Sequence, residues 1–202
     1  MVDEWGLWCD GEPGSNPFFM YQQSTMRDAL VAGITLNIFN KHCDRVHMAN
    51  IAQVVNVVQA MVLTNGEKML LTPTYYVFKM YKNHQNAALV ESWFEGVKEI
   101  GLESEYKVPE LFESVSISED GTVNVTLNNL SVDENVTLEI VFDDFKPKTI
   151  AGEILTADMK AHNTFENSDT VKSVVFDAFR TDHKSLWVDL PSCSIIHLSI
   201  MP

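Results

Sequence analysis

Two different rhythms of hydrophobic placement divide the chain. Across residues 24–40 apolar side chains fill almost every helical position, with Met26, Ala29, Leu30, Gly33, Ile34, Leu36 and Ile38 leaving little polar face. That pattern predicts a helix covered nearly all round. Thr25 and Asp28 stand at capping-box spacing at its start, where the carboxylate can reach back to the cap's own amide. The run 46–58 is rich in β-branched residues and interrupted by Asn50, Gln53 and Asn56. It reads as a strand buried on both faces, whose polar side chains need partners. Thr72 and Pro73 supply the cap and first turn of a second helix, from 74 to about 84. With an apolar residue ending a strand at the start, residues 1–85 read as strand, helix, strand, helix.

Beyond Asn86 the rhythm changes. Segments 114–117, 123–127, 136–142, 150–156, 173–179, 185–190 and 194–200 are short and β-rich, and turn residues such as Glu119-Asp120-Gly121 separate them. Such spacing predicts a β-sandwich. Val123, Val125 and Leu127 alternate with Asn124 and Thr126, as Leu138 and Ile140 do with Glu139, so each strand is expected to have one dry and one wet face. The fold class is therefore α/β plus all-β, with an α/β part at 1–85 and a β-sandwich at 86–202.

Charge sharpens the division. The 202 residues hold 14 Lys and Arg against 28 Asp and Glu, a net charge of −14 that repels nucleic-acid phosphates and anionic lipid. Residues 1–85 are nearly balanced, and the excess of acid lies beyond them. Cys9, Cys43 and Cys193 are too few and scattered for a disulfide framework. No basic leader precedes an apolar run, and no stretch approaches the roughly 18 apolar residues of a membrane span, so a cytoplasmic protein without a membrane partner is expected. His42, Cys43 and His47 offer three ligands in one short connection with no fourth at metal spacing, and no glycine-rich phosphate loop or nucleophile elbow is present. Neither a metal nor a cofactor is expected. The sequons at Asn124, Asn129 and Asn135 read as strand-end and turn residues rather than glycosylation sites.

Candidate chemistry begins at Asp3-Glu4-Trp5, followed by Trp8. A carboxylate flanked by indoles suits a sugar, because the ring faces pack on C–H surfaces while the carboxylate addresses the anomeric carbon. The same residues equally describe an acidic terminus with tryptophans packed into a core. In order there follow Gln22-Gln23-Ser24-Thr25-Met26-Arg27-Asp28-Ala29-Leu30, Asn37-Ile38-Phe39-Asn40, Met48-Ala49-Asn50-Ile51-Ala52-Gln53-Val54-Val55-Asn56-Val57, Thr72-Pro73-Thr74-Tyr75 and Ala161-His162-Asn163-Thr164-Phe165. Taken together these segments resemble the α-L-arabinofuranosidases of glycoside hydrolase family 51.

The resemblance implies the end of a (β/α)8 barrel followed by a jelly-roll β-sandwich, a retaining mechanism, and release of terminal arabinofuranose from arabinan, arabinoxylan and arabino-oligosaccharides. Glu4 matches the family's nucleophile at the end of the seventh barrel strand, Trp8 an aromatic lining the arabinose subsite, and Gln53 a side chain at the end of the eighth strand that binds the sugar. Read from its own surroundings, Gln53 is equally a satisfied core amide. Asn50, Asn56 and His162 are expected to be structural. The family's acid/base is a Glu directly after an Asn, a dipeptide that occurs nowhere here. A barrel also takes about 250 residues, so the chain is expected to be a C-terminal portion, inactive alone, that works with an upstream barrel half in an oligomer the resemblance suggests is a hexamer. The competing expectation is a non-catalytic sugar-binding or assembly module.

Overall fold

The computed structural model describes all residues except 12, 17, 19–21, 144, 183 and 184. From the start of the chain, β1 (Val2–Trp5) leads to α1 (Met26–Lys41), β2 (Ala49–Ile51), a hairpin of β3 (Val62–Asn65) and β4 (Lys68–Leu71), then α2 (Pro73–Tyr81) and a 3-10 turn at Lys82–His84. The strands that follow are β5 (Ala88–Val90), β6 (Glu99–Ile100), β7 (Val108–Pro109), β8 (Leu111–Ile117), β9 (Val123–Asn129), β10 (Val136–Val141), β11 (Thr149–Thr156), β12 (Val174–Phe176), β13 (Phe179–Asp182), β14 (Ser185–Leu190) and β15 (Ser194–Met201).

Both helices begin where local chemistry places them. The Thr25 amide donates to Asp28 Oδ2 at 2.9 Å, the return half of the capping box; Thr72 stands at the N-cap position of α2 with its hydroxyl donating to the Ala60 carbonyl at 2.8 Å, and Pro73 opens the first turn.

Three layers result. A six-stranded antiparallel sheet, in the order β12-β11-β15-β9-β8-β5, forms the middle one. One face meets the three-stranded sheet β10-β14-β13 through an apolar core of Val125, Leu127, Ile196 and Leu198 against Leu186, Val188 and Leu190. The other face carries α1 and α2. There Met26, Ala29 and Leu30 of α1 and Val77, Met80 and Tyr81 of α2 share a second core with Leu155 and Ile195 of the sheet. Gly33 marks a close approach, since a Cβ on it would lie 2.3 Å from Asn128 Nδ2 on β9.

Four sequence expectations change. First, the run 46–58 is a strand only at Ala49–Ile51, and Val54 and Val55 are exposed. Its ladder partner among the described residues is the four-residue β1, so β-branched content alone does not extend it. Second, the cover of α1 is incomplete, leaving Ile38 exposed and Ile34 partly so. Third, the segment 173–179 divides into β12 and β13, which belong to different sheets.

The fourth change concerns β9, whose polar face is dry: Asn124, Thr126 and Asn128 are all buried under the helices. A hydrogen-bonded layer takes the place of water there. Asn37 of α1 donates through Nδ2 to Asn128 Oδ1 and accepts at Oδ1 from Ser114 Oγ (2.8 Å) and Thr126 Oγ1 (2.7 Å). The two ring nitrogens of His84 meet the hydroxyls of Ser116 and Thr126 at 2.7 and 3.1 Å. By contrast β10 keeps the predicted alternation of exposed and covered positions. Asn124 and Asn129 are buried, which agrees with reading their sequons as structural.

Candidate functional site

β1 and β2 run parallel, with Val2 opposite Ala49 and Trp5 opposite Ile51. Three residue steps on β1 therefore face two on β2, and the irregularity falls at Asp3 and Glu4. A bulge of this kind re-aims side chains locally. The pair is fastened on either side of it, by the Val2 amide to Met48 O and the Ala52 amide to Trp5 O, both at 2.9 Å. Glu4 thus sits near the C-terminal end of one strand, and Gln53 lies just past the same end of its neighbour. In parallel α/β arrangements that is the end from which ligand-contacting groups project.

Asp3, Glu4 and Gln53 are exposed, and Trp8 is 60% exposed in the loop that follows β1. The two tryptophans divide the roles left open by the sequence. Trp5 stacks on Phe78 of α2 at 6.0 Å and meets Phe39 of α1 edge-on at 5.5 Å, so it anchors the strand to the helices. Trp8 keeps its ring available. The strand pairing brings Glu4 and Gln53 to one end, and Trp8 follows in the loop beyond that end.

Two residues that sequence reasoning passed over hold this loop. Gln22 and Gln59, one before α1 and the other in the connection after β2, both donate to the Leu7 carbonyl and to the fully buried Asp28. In the sequence the role legible for Asp28 is that of a cap. The single local hint for Gln59 was a polar residue in an apolar run.

His162 is held by hydrogen bonds at both ring nitrogens. Its Nε2 accepts from Gln23 Nε2 at 2.7 Å, which leaves Nδ1–H for the Lys160 carbonyl at 3.1 Å. Next to it, Asn163 fastens the loop by donating to Leu71 O and Val171 O and accepting from the Val171 amide. Asn56 closes a two-point bond with Thr64 of β3. Among the described residues no group of three or more His, Cys, Asp or Glu side chains is placed to hold a metal, and no helix is long and apolar enough to cross a membrane.

The family described as the alpha-L-arabinofuranosidase C-terminal domain matches residues 3–194. The chain belongs to that family. It is 42% identical over 201 residues, 99% of its length, to an intracellular exo-alpha-L-arabinofuranosidase of Bacteroides ovatus, and covers 39% of that relative. An exo-alpha-(1->6)-L-arabinofuranosidase of Bifidobacterium longum is 28% identical over 191 residues, 84% of this chain and 35% of its own. Among solved structures, the glycoside hydrolase family 51 arabinofuranosidase of Xanthomonas axonopodis pv. citri superposes with a TM-score of 0.94 at 40% identity, over 99% of this chain and 40% of that one. The chain thus spans about two fifths of the arabinofuranosidases it matches and corresponds to their C-terminal portion.

Proposed function

We propose that the chain is the C-terminal portion of a retaining α-L-arabinofuranosidase, with Glu4 as nucleophile, Trp8 as a wall of the arabinose subsite and Gln53 as a hydrogen-bonding partner of the sugar. The observation that carries this reading is the placement of Glu4 in a bulge at the C-terminal end of a strand parallel to β2. Family membership supports it, as do the names of the relatives. In this reading β1 to α2 are the end of a (β/α)8 barrel, residues 86–202 are a jelly-roll sandwich, and the compartment is the cytoplasm. The substrates are arabinofuranose-containing oligosaccharides and the arabinan and arabinoxylan they come from.

The chemistry follows from what one carboxylate can and cannot do. A Glu4 oxygen attacks the anomeric carbon and forms a glycosyl ester, while the bond to the leaving oxygen breaks and that oxygen takes a proton. Water then hydrolyses the ester with retention. Proton delivery needs a second carboxyl group about 5–5.5 Å from the first. The 202 residues contain no Asn-Glu to supply the family's donor, so the acid/base would come from the remainder of the barrel and the chain alone would be inactive. Losing such a donor costs about 10² to 10⁴ in rate. In this reading the complete enzyme is an oligomer, a hexamer by family resemblance.

The test joins the chain to the N-terminal barrel segment of a full-length relative and follows hydrolysis of 4-nitrophenyl α-L-arabinofuranoside. Glu4→Ala should abolish turnover, and azide should restore it with inverted stereochemistry. Near-normal activity in Glu4→Ala, or a mechanism-based label on another carboxylate, would overturn the assignment.

A further inference from the structure

Gln59 has a left-handed backbone, φ 59°, and a side chain only 2% exposed. That conformation is strained for a residue with a Cβ, so something must hold it. Its Nε2 donates to Leu7 O at 2.8 Å and to Asp28 Oδ1 at 3.1 Å. Gln22 Nε2 donates to the same two oxygens at 2.9 and 3.1 Å. Each primary amide carries two N–H groups, so four donors converge on one carbonyl and one carboxylate oxygen. The orientation of the Gln59 amide is forced, because turning it over would set its oxygen against two acceptors.

The carboxylate is itself fixed. Asp28 Oδ2 accepts from the Thr25 amide, Thr25 Oγ1 and Arg27 at 2.9, 3.0 and 3.2 Å, so the start of α1 holds the clamp in place. On the loop side the clamp acts at three points. Leu7 O takes the two amides, the Cys9 amide donates to Gln22 Oε1 at 2.8 Å, and Gly6, at φ +150°, lies so close that a Cβ on it would be 2.4 Å from Gln59 Cγ. Residues 6, 7 and 9 are therefore gripped, and they surround the exposed Trp8 and follow directly on Glu4 and Trp5.

We propose that Gln59, acting with Gln22 through the buried Asp28, is a positioning residue that fixes the course of residues 6–9 and so sets where Glu4 and Trp8 present themselves to substrate. The functional half of this inference rests on the reading of Glu4 and Trp8 given above. The structural half, that the clamp orders the loop, does not. Exposed side chains that face a sugar cannot hold themselves in place, and a misplacement of 1 Å can cost about a hundredfold in rate. A buried clamp behind the loop supplies that constraint without occupying the sugar's space.

Two substitutions separate the clamp from general damage. Gln59→Glu keeps the size of the side chain but replaces both donors with an acceptor facing Asp28 and Leu7 O. Gln59→Gly removes the side chain while relieving the left-handed backbone. In the 202-residue chain both should lower hydrogen-exchange protection of the Cys9 amide about tenfold or more, with amides of β9 and β15 unchanged, and Gly6→Ala should do the same from the loop side. In the chain joined to the barrel segment, both Gln59 variants should lower kcat on 4-nitrophenyl α-L-arabinofuranoside about tenfold to a hundredfold, with KM within about threefold. Unchanged Cys9 protection in both Gln59 variants overturns the clamp. Lost protection with unchanged kcat overturns the positioning role. Should Glu4→Ala remain active, the nucleophile assignment fails, while the exchange measurement still decides whether Gln59 orders the loop.

Discussion

Tyr81 of α2 and Asn128 of β9 meet between the helices and the middle sheet, the phenol hydroxyl donating to the amide oxygen at 3.0 Å with both side chains buried. The same oxygen also accepts from Asn37 of α1, so one residue of the sheet ties down both helices. Burial pushes the Tyr81 hydroxyl's pKa upward, outweighing the opposing pull of its hydrogen bonds to Thr126, Asn128 and Asn37, and keeps it a neutral donor.

Replacing Asn128 with Leu should therefore cost more than the loss of two bonds. It leaves the Tyr81 hydroxyl and one Asn37 N–H buried without an acceptor, each worth about 1–3 kcal/mol. Urea unfolding should show a loss of about 2–5 kcal/mol. Adding Tyr81→Phe should recover part of it, because one orphan donor disappears. A purely additive double variant would show that the two residues are not coupled.

Acid should destabilise the fold through two histidines. Burial lowers the pKa of both His84 and His197 to about 4, with each other's proximity adding to the effect at His84 and Glu153 opposing it at His197. The unfolded chain takes up these protons near pH 6.5, well before the folded chain does. Stability is thus full above that value, falls as the pH drops from about 6.5 to about 4, and levels off below, with each histidine contributing on the order of 3 kcal/mol. Denaturant midpoints between pH 7 and 4.5 should show the decline, and His84→Gln should flatten it.

The two tryptophans should behave oppositely. Trp5→Ala removes the ring wedged against Phe39 and Phe78 and should cost about 3–5 kcal/mol in thermal or urea unfolding. Trp8→Ala, at an exposed position, should stay within about 0.5 kcal/mol. Under the proposed role of Trp8 as a subsite wall, Trp8→Ala in the chain joined to a relative's N-terminal segment should instead raise KM for the aryl arabinofuranoside.

What the sequence displayed plainly was local. Thr25 and Asp28 are three positions apart, so their capping box can be read directly, and the alternation along β10 is set by its own neighbours. Gln59 was hidden because its partners, Asp28 and Leu7, lie 31 and 52 residues away. The dry polar face of β9 was hidden for the same reason, since Asn37, which covers it, is 89 and 91 residues upstream of Thr126 and Asn128. Alternating Asn and Thr look like a wet face until the covering helix is known. At the candidate site, the bulge between Val2 and Trp5 has no sequence signature at all.

One helix connects these hidden features. α1 is gripped near its start, where Asp28 holds the loop beside Glu4, and again at Asn37, where it is keyed to the sheet. Nine residues of α-helix separate the two grips, about 14 Å of stiff rod. An apolar interface would let such a rod slide or roll at little cost, but directional bonds at Asn37 do not. The sheet therefore serves as a surveyor's benchmark for the strand ends: a repacking that tilts α1 at Asn37 should reappear as a displacement of residues 6–9.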